Sequence, residues 1–272
     1  MDNYSEFTKN ELEAAFSDTY KMLTQNKFPV KEPTVHILGG QSGAGKTTIH
    51  DIIKKQNANF IVIDGDRYRE KHPNFRMIQQ VYGKEAANYT QMFANSIADK
   101  LIKKLSSEHY NLIIEGTCRT AEVPLNTCSR LKEKGYRTEL DVMCTDKEIS
   151  WQSTIDRYNA MQAHGLTPRA VPRDKYLDTV KAIPGNISRI YKSKAFDEIK
   201  LYNREARCLY AFSKQPDVNP AQIVSRILNG QEQVQKPKTF AEGLAELVQR
   251  TQQENSRSNI NRTTPTPPKQ RR

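Results

Sequence analysis

Nowhere does the chain carry an apolar run approaching the ~20 residues that a membrane-spanning helix needs. Its 272 residues are polar on average, with a mean hydropathy of −0.76. The first residues, Met1-Asp2-Asn3-Tyr4-Ser5-Glu6, are neither basic nor apolar, so no secretory leader is expected. Cysteine is scarce: Cys118, Cys128, Cys144 and Cys208 are far apart and form no C-x-x-C pair. That spacing argues against a disulfide framework or a zinc ribbon, and for free thiols in a reducing cytoplasm. No internal repeat is visible, and the length suits one large α/β domain with or without an appendage.

Charge is not lacking. Lys and Arg number 42 against 31 Asp and Glu, a formal net charge of +11. This fits a protein that handles anions. Much of the excess lies at the C-terminus, from Lys236 to Arg272, so charge alone does not single out nucleic acid.

The most informative stretch is Gly40-Gln41-Ser42-Gly43-Ala44-Gly45-Lys46-Thr47, which reads G-x-x-x-x-G-K-T. Its glycines let the backbone curl so that successive N–H groups face a polyphosphate. Lys46 is placed to reach the β- and γ-phosphates, and the Thr47 hydroxyl to bind Mg²⁺. A β-prone run, Thr34 to Leu38, precedes the loop. From Thr48 onward a helix is expected, with its positive end at the anion. ATP on residues Gly40 to Thr48, with Mg²⁺, is therefore the expected nucleotide.

The rest of the pattern is α/β. Thr8-Lys9-Asn10-Glu11 is a capping box before a helix expected over about Ser5 to Gln25. Phe60 to Ile63 is a continuous apolar run, read as a parallel strand buried on both faces, and it ends in Asp64-Gly65-Asp66. In open α/β sheets ligands sit at the carboxyl ends of strands. Asp64 there reads as a cap or an outer Mg²⁺ partner, and Asp66 as a general base or a cap. His72 to Phe75 reads as a turn, and a helix over about Glu85 to Ser106 carries Asp99, on its own a solvated residue.

A strand at Tyr110 to Ile114 closes in Glu115-Gly116-Thr117-Cys118-Arg119, an anion- and hydroxyl-binding loop. Further helices are expected over Ala121 to Lys134, Lys147 to Ala163, onward to about Lys192, and Asn219 to Leu228. Between them come a strand at Tyr136 to Met143 and a strand pair around Asn203-Arg204-Glu205. Arg157 and Arg169 are candidate cationic fingers, although surface arginines are common. Residues 1–230 thus read as the folded domain, 231–251 as containing an amphipathic helix and 252–272 as a disordered basic tail.

Taken together, the P-loop stretch from Leu38 to Thr48, Val62-Ile63-Asp64-Gly65-Asp66, Lys71 to Phe75, Tyr110 to Thr117, Arg119-Thr120, Arg157-Tyr158 and Leu201 to Glu205 resemble the zeta-toxin family. The resemblance spans about Phe7 to Leu228. It implies a P-loop kinase fold that moves the ATP γ-phosphate to the 3′-hydroxyl of the sugar in UDP-N-acetylglucosamine, blocking cell-wall precursor synthesis. It also implies a separate antitoxin protein covering the ATP cleft. By motif, Asp66 matches the family's catalytic base and Lys46 its P-loop lysine. Glu115, Thr117 and Arg119 match its sugar-nucleotide contacts, and Arg157 and Arg169 its phosphate-clamping arginines. Asp99 stands where the family commonly has a glutamate, and the loop around Arg169 departs from the family pattern. Two alternatives stay open on the residues themselves: a P-loop kinase for another hydroxyl, and a non-catalytic nucleotide- or nucleic-acid-binding module using the basic tail.

Overall fold

The computed structural model describes residues 4–164 and 170–231. The expected helix and tail beyond 231, and Arg169, lie outside the described residues. The first helix, α1 (Lys9–Thr24), begins where its cap dictates. Thr8 Oγ1 accepts from the Glu11 N–H at 3.2 Å, and Glu11 Oε2 accepts from the Thr8 N–H at 2.7 Å. That reciprocal pair satisfies two otherwise unbonded N–H groups, so the helix starts later than Ser5.

Among the described residues, six strands form one sheet in the order β2-β3-β1-β4-β5-β6. They are β1 (Thr34–Gly39), β2 (Phe60–Ile63), β3 (Asn111–Ile114), β4 (Arg137–Met143), β5 (Glu198–Tyr202) and β6 (Cys208–Ala211). The first five run parallel, and β6 returns antiparallel to β5. The β5–β6 pair and the strand at 137–143 lie where the sequence places them. The run at Phe60 to Ile63 is largely buried but not central: β2 is an edge strand. An apolar run reports what covers a strand's faces, not whether both its edges are paired. Just before β2, Asn59 exchanges hydrogen bonds with the Phe28 backbone at 3.1 and 2.9 Å.

The helices that follow are α2 (Thr47–Gln56), α3 (Phe75–Tyr82), α4 (Ala86–Ser107), α5 (Glu122–Lys132), α6 (Lys147–Ala163), α7 (Arg173–Ser193) and α8 (Ala221–Leu228). Among the elements that escaped the sequence reading are α3 and a 3₁₀ helix at Gly65–Lys71. Both are under three turns, too short for a helical period to show against the neighbouring Pro73. Among the described residues no helix is long and apolar enough to cross a membrane.

Side chains alternate along each strand, so the sheet has two distinct faces. One carries Val35, Ile37, Leu112, Leu140, Val142 and Leu201, covered by α1, α4, α5, α7 and α8 in a single large core. The other carries Leu38, Ile113, Met143 and Tyr202 under α2, with Ile49 and Ile53 pressed against them. On that second face a charged group lies beside the apolar one. His36 Nδ1 is 2.6 Å from Asp141 Oδ2, and Glu139 pairs with Lys200 at 2.6 Å and Arg137 at 3.0 Å. Burial works against the Glu139 carboxylate, yet Lys200 and His36 hold it below its ordinary range. His36, Glu139 and Asp141 are close enough together to suggest a metal site. The cationic partners already supply the charge compensation a metal would bring.

Candidate active site

The loop between β1 and α2 adopts the curled backbone its glycines permit. Gly40, Gly43 and Gly45 have φ of +123°, +74° and +96°. The curl is strapped from behind by the β4–α6 connection. The Gln41 amide donates to Thr145 O at 2.7 Å and to Ser150 Oγ at 2.9 Å, and Thr145 Oγ1 donates to Ala44 O at 2.7 Å. Gln41 and Ala44 therefore hold the loop through buried contacts, while Ser42, Gly43, Gly45, Lys46 and Thr47 line an open cleft of about 950 Å³. Thr48, already on α2, donates its N–H to Gly45 O at 3.0 Å. No side chain caps the start of α2, so its positive end is left to the cleft. Lys46 Nζ donates to Gly40 O at 3.0 Å and Gln41 O at 3.3 Å. Burial lowers the Lys46 pKa, and the negative charges of Glu115 and Asp66 oppose that shift.

Facing the loop is a wall built on side chains. Asp64 at the end of β2 caps the 3₁₀ helix, accepting from the Asp66 N–H at 3.0 Å. Asp66, two residues on, reaches the cleft and pairs with Arg69 Nε at 2.9 Å. Arg69 is itself buried and donates to Thr90 Oγ1 at 3.2 Å, to Ala87 O and to Gln91 Oε1. It therefore fixes Asp66 against α4.

Glu115 ends β3, its N–H donating to Ile63 O at 2.9 Å. Burial raises the Glu115 pKa, but His50 and Lys46 outweigh it and hold the carboxylate below its ordinary range. Thr117 and Arg119 follow in a loop that Asn186 of α7 holds by donating to Cys118 O at 3.1 Å and Arg119 O at 2.7 Å. Cys118 is buried beneath it, its thiol pushed up to about 12, which leaves it unreactive. At the base of the cleft the two sides touch: the Gly40 N–H donates to Thr117 O at 3.3 Å, and a methyl on Gly116 would lie 2.8 Å from Leu38 O.

The third side is α6, which sends Ser153 and Arg157 into the cleft. Arg204, from the β5–β6 turn, donates to Ser153 Oγ at 3.1 Å and lies over Gly45. The structure thus brings Lys46, Thr47, Asp66, Glu115, Thr117, Arg119 and Arg157 together on one cleft.

It does not bring Asp99 there. Asp99 is exposed on α4, and the cleft is lined instead by Gln91 and Asn95 of the same helix. The helix turns Ala98 toward Gly65, where a methyl would meet it at 3.9 Å, and the adjacent Asp99 points outward. Asp99, expected as a substrate contact, thus stands outside the residues that line this cleft.

The functional candidates missing from the sequence reading are His50, Arg69, Gln91, Asn95, Asn186 and Arg204. Arg69 reaches Asp66 as an i, i+3 neighbour of a 3₁₀ helix too short to show in the sequence. The others are brought in by tertiary packing.

The donor set suits a magnesium nucleotide. A hydroxyl at Thr47 and carboxylates at Asp64 and Glu115 line the same cleft, and oxygen ligands are what this hard cation takes. A glycine cradle leading into an uncapped helix, beside a lysine, an arginine and strand-end carboxylates, defines a phosphotransferase of the P-loop kinase class.

The comparisons carry the assignment to the family. The Zeta toxin family model matches residues 19–215. The chain is 38% identical over 236 residues to Toxin PezT of Streptococcus pneumoniae serotype 4, covering 85% of this chain and 92% of that protein. It is 36% identical over 231 residues to Toxin zeta of Streptococcus agalactiae, covering 84% and 80%. The solved structure from the PezAT chromosomal toxin–antitoxin system of Streptococcus pneumoniae superposes with a TM-score of 0.75 at 33% identity, covering 94% of this chain and 98% of that one. The chain belongs to the Zeta toxin family.

Proposed function

We propose that this chain transfers the γ-phosphate of ATP to the 3′-hydroxyl of the sugar in UDP-N-acetylglucosamine, as the toxin of a toxin–antitoxin pair. The observation that carries the reading is one cleft in which the phosphate loop faces Asp66, Glu115, Thr117 and Arg119, with Arg157 at the side. The loop N–H groups and Lys46 bind the polyphosphate. Thr47 is the residue that would hold Mg²⁺, which when bound neutralises charge on the phosphate oxygens. Asp66, held by Arg69, accepts the proton of the attacking hydroxyl. An ordinary carboxylate suffices, because in a loose transition state positioning contributes more than basicity. Glu115, Thr117 and Arg119 orient the acceptor, and Arg157 balances the negative charge spread over the transferring group. Arg169 is proposed as a second clamping arginine from the sequence pattern alone.

A relative solved as part of a toxin–antitoxin system supports a separate antitoxin as partner, one that shields the ATP cleft of this chain. The test is direct. Purified protein is given Mg²⁺-ATP and UDP-N-acetylglucosamine, and ADP release and acceptor mass are followed. The acceptor gains one phosphate with the wild type and none with Lys46→Ala or Asp66→Ala. ADP release with no change in the sugar nucleotide would overturn the acceptor assignment and send the search to other hydroxyls, with Gln91 and Asn95 in the place expected of Asp99.

A further inference from the structure

His50 is part of no motif, yet it lies one turn beyond Lys46 on α2, on the side that packs inward. It is 5% exposed, between Ile49 and Ile53 at 0% and 5%. Burying an imidazole among isoleucines is unfavourable unless its nitrogens gain something in return. His50 Nε2 stands 2.8 Å from Glu115 Oε1. The contact is bent away from hydrogen-bond alignment, and among the described residues this nitrogen has no other partner. Hydrogen bonds in active sites commonly align fully only in the loaded enzyme.

The backbone of Glu115 is already fixed, since its N–H continues the ladder to Ile63 O at 2.9 Å. What remains to be set is the side-chain rotamer. A donor at the His50 position that held Oε1 would leave the second carboxylate oxygen to meet a ligand in the cleft.

We propose that His50 is a positioning residue: its Nε2–H holds Glu115 Oε1, setting the carboxylate at the acceptor side of the cleft and tying it to the helix that begins at the phosphate loop. The role rests on the phosphotransfer reading above. It requires the Nε2–H tautomer and a side chain able to donate from that position. Gln can donate from there and Leu cannot.

The test is a cycle of full-length variants: His50→Leu, His50→Gln, Glu115→Gln and the double variant His50→Leu/Glu115→Gln. Turnover is followed in parallel with UDP-N-acetylglucosamine and with water as acceptor, together with ATP affinity and melting temperature. His50→Leu lowers kcat/KM for the acceptor by about 10- to 100-fold, the scale of a small misplacement in a reacting site, while ATP affinity holds. His50→Gln recovers most of the loss. In the Glu115→Gln background, His50→Leu adds nothing, because the partner is already gone.

Equal losses in His50→Gln and His50→Leu with ATP affinity falling in step, or losses that add fully to Glu115→Gln, overturn the proposal and leave His50 a packing residue of α2. If His50→Leu does not fold, His50→Asn, too short to reach Glu115, takes its place. The ¹⁵N shifts of the His50 ring in the free protein give a readout independent of any acceptor: they report Nε2–H in the wild type and change in Glu115→Gln. An unchanged ring overturns the contact. A wild type inert toward the sugar nucleotide overturns only the acceptor assignment, and the cycle is then read on ATP hydrolysis.

Discussion

The two sides of the cleft are made differently. The phosphate side is backbone: glycines at φ +123°, +74° and +96°, strapped through Gln41, Ala44 and Thr145. The opposite side, proposed to hold the acceptor, is side chain: Arg69 holds Asp66, His50 faces Glu115, and Asn186 holds the carbonyls of Cys118 and Arg119. A backbone cradle recognises any polyphosphate and leaves little to vary. A wall of paired side chains recognises one arrangement of hydroxyls, and each pair can be broken separately.

Breaking the backbone side should have the largest effect. A Cβ at Gly43 would stand 2.0 Å from Ser150 O, in a conformation that L side chains rarely adopt. Gly43→Ala should therefore abolish ATP binding, measured by calorimetry, and turnover with it, whatever the acceptor. Asp66→Asn comes next. It leaves the cradle intact, so ATP affinity should hold while kcat falls by about 10²- to 10⁴-fold, the usual range for losing a general base. Retained turnover would assign the proton acceptor elsewhere.

Asn186→Ala should act more gently. It removes two bonds of about 1 kcal/mol each from the acceptor loop, raising KM for the acceptor about tenfold with KM for ATP unmoved. A parallel rise in both would mean that the two sides are not independent.

The smallest effect is on stability. Glu115 has a folded-state pKa below its ordinary 4.5, so its charged form favours the fold above that pH, and the contribution is lost as pH falls through the lower folded value. The melting-temperature gap between wild type and Glu115→Gln should be full near neutral pH and close under acid conditions. A gap independent of pH would mean that ionisation of Glu115 does not contribute.

The same contrast explains what could be read in advance. A backbone cradle needs glycines at fixed spacing, so Gly40 to Thr47 was legible residue by residue, as was the position of Glu115 just after β3 and of Asp66 shortly after β2. The wall opposite depends on where helices begin and how they turn. The 3₁₀ helix carrying Arg69 is too short to show a period. The turn of α4 that presents Gln91 and Asn95 but not Asp99 is set by its buried face, Phe93, Ala94, Ile97 and Leu101. His50 and Asn186 are ordinary polar residues until the fold brings Glu115 and the Cys118 carbonyl to them.

The close approach at the base of the cleft has one more consequence. Because Gly40 bonds to Thr117 and Gly116 leaves no room for a methyl against Leu38, the spacing between the phosphate loop and the loop after β3 is set by main chain. On the proposed reading, exchanging side chains on the cleft wall, such as Gln91, Asn95 or Arg119, would change what that wall binds without altering this spacing.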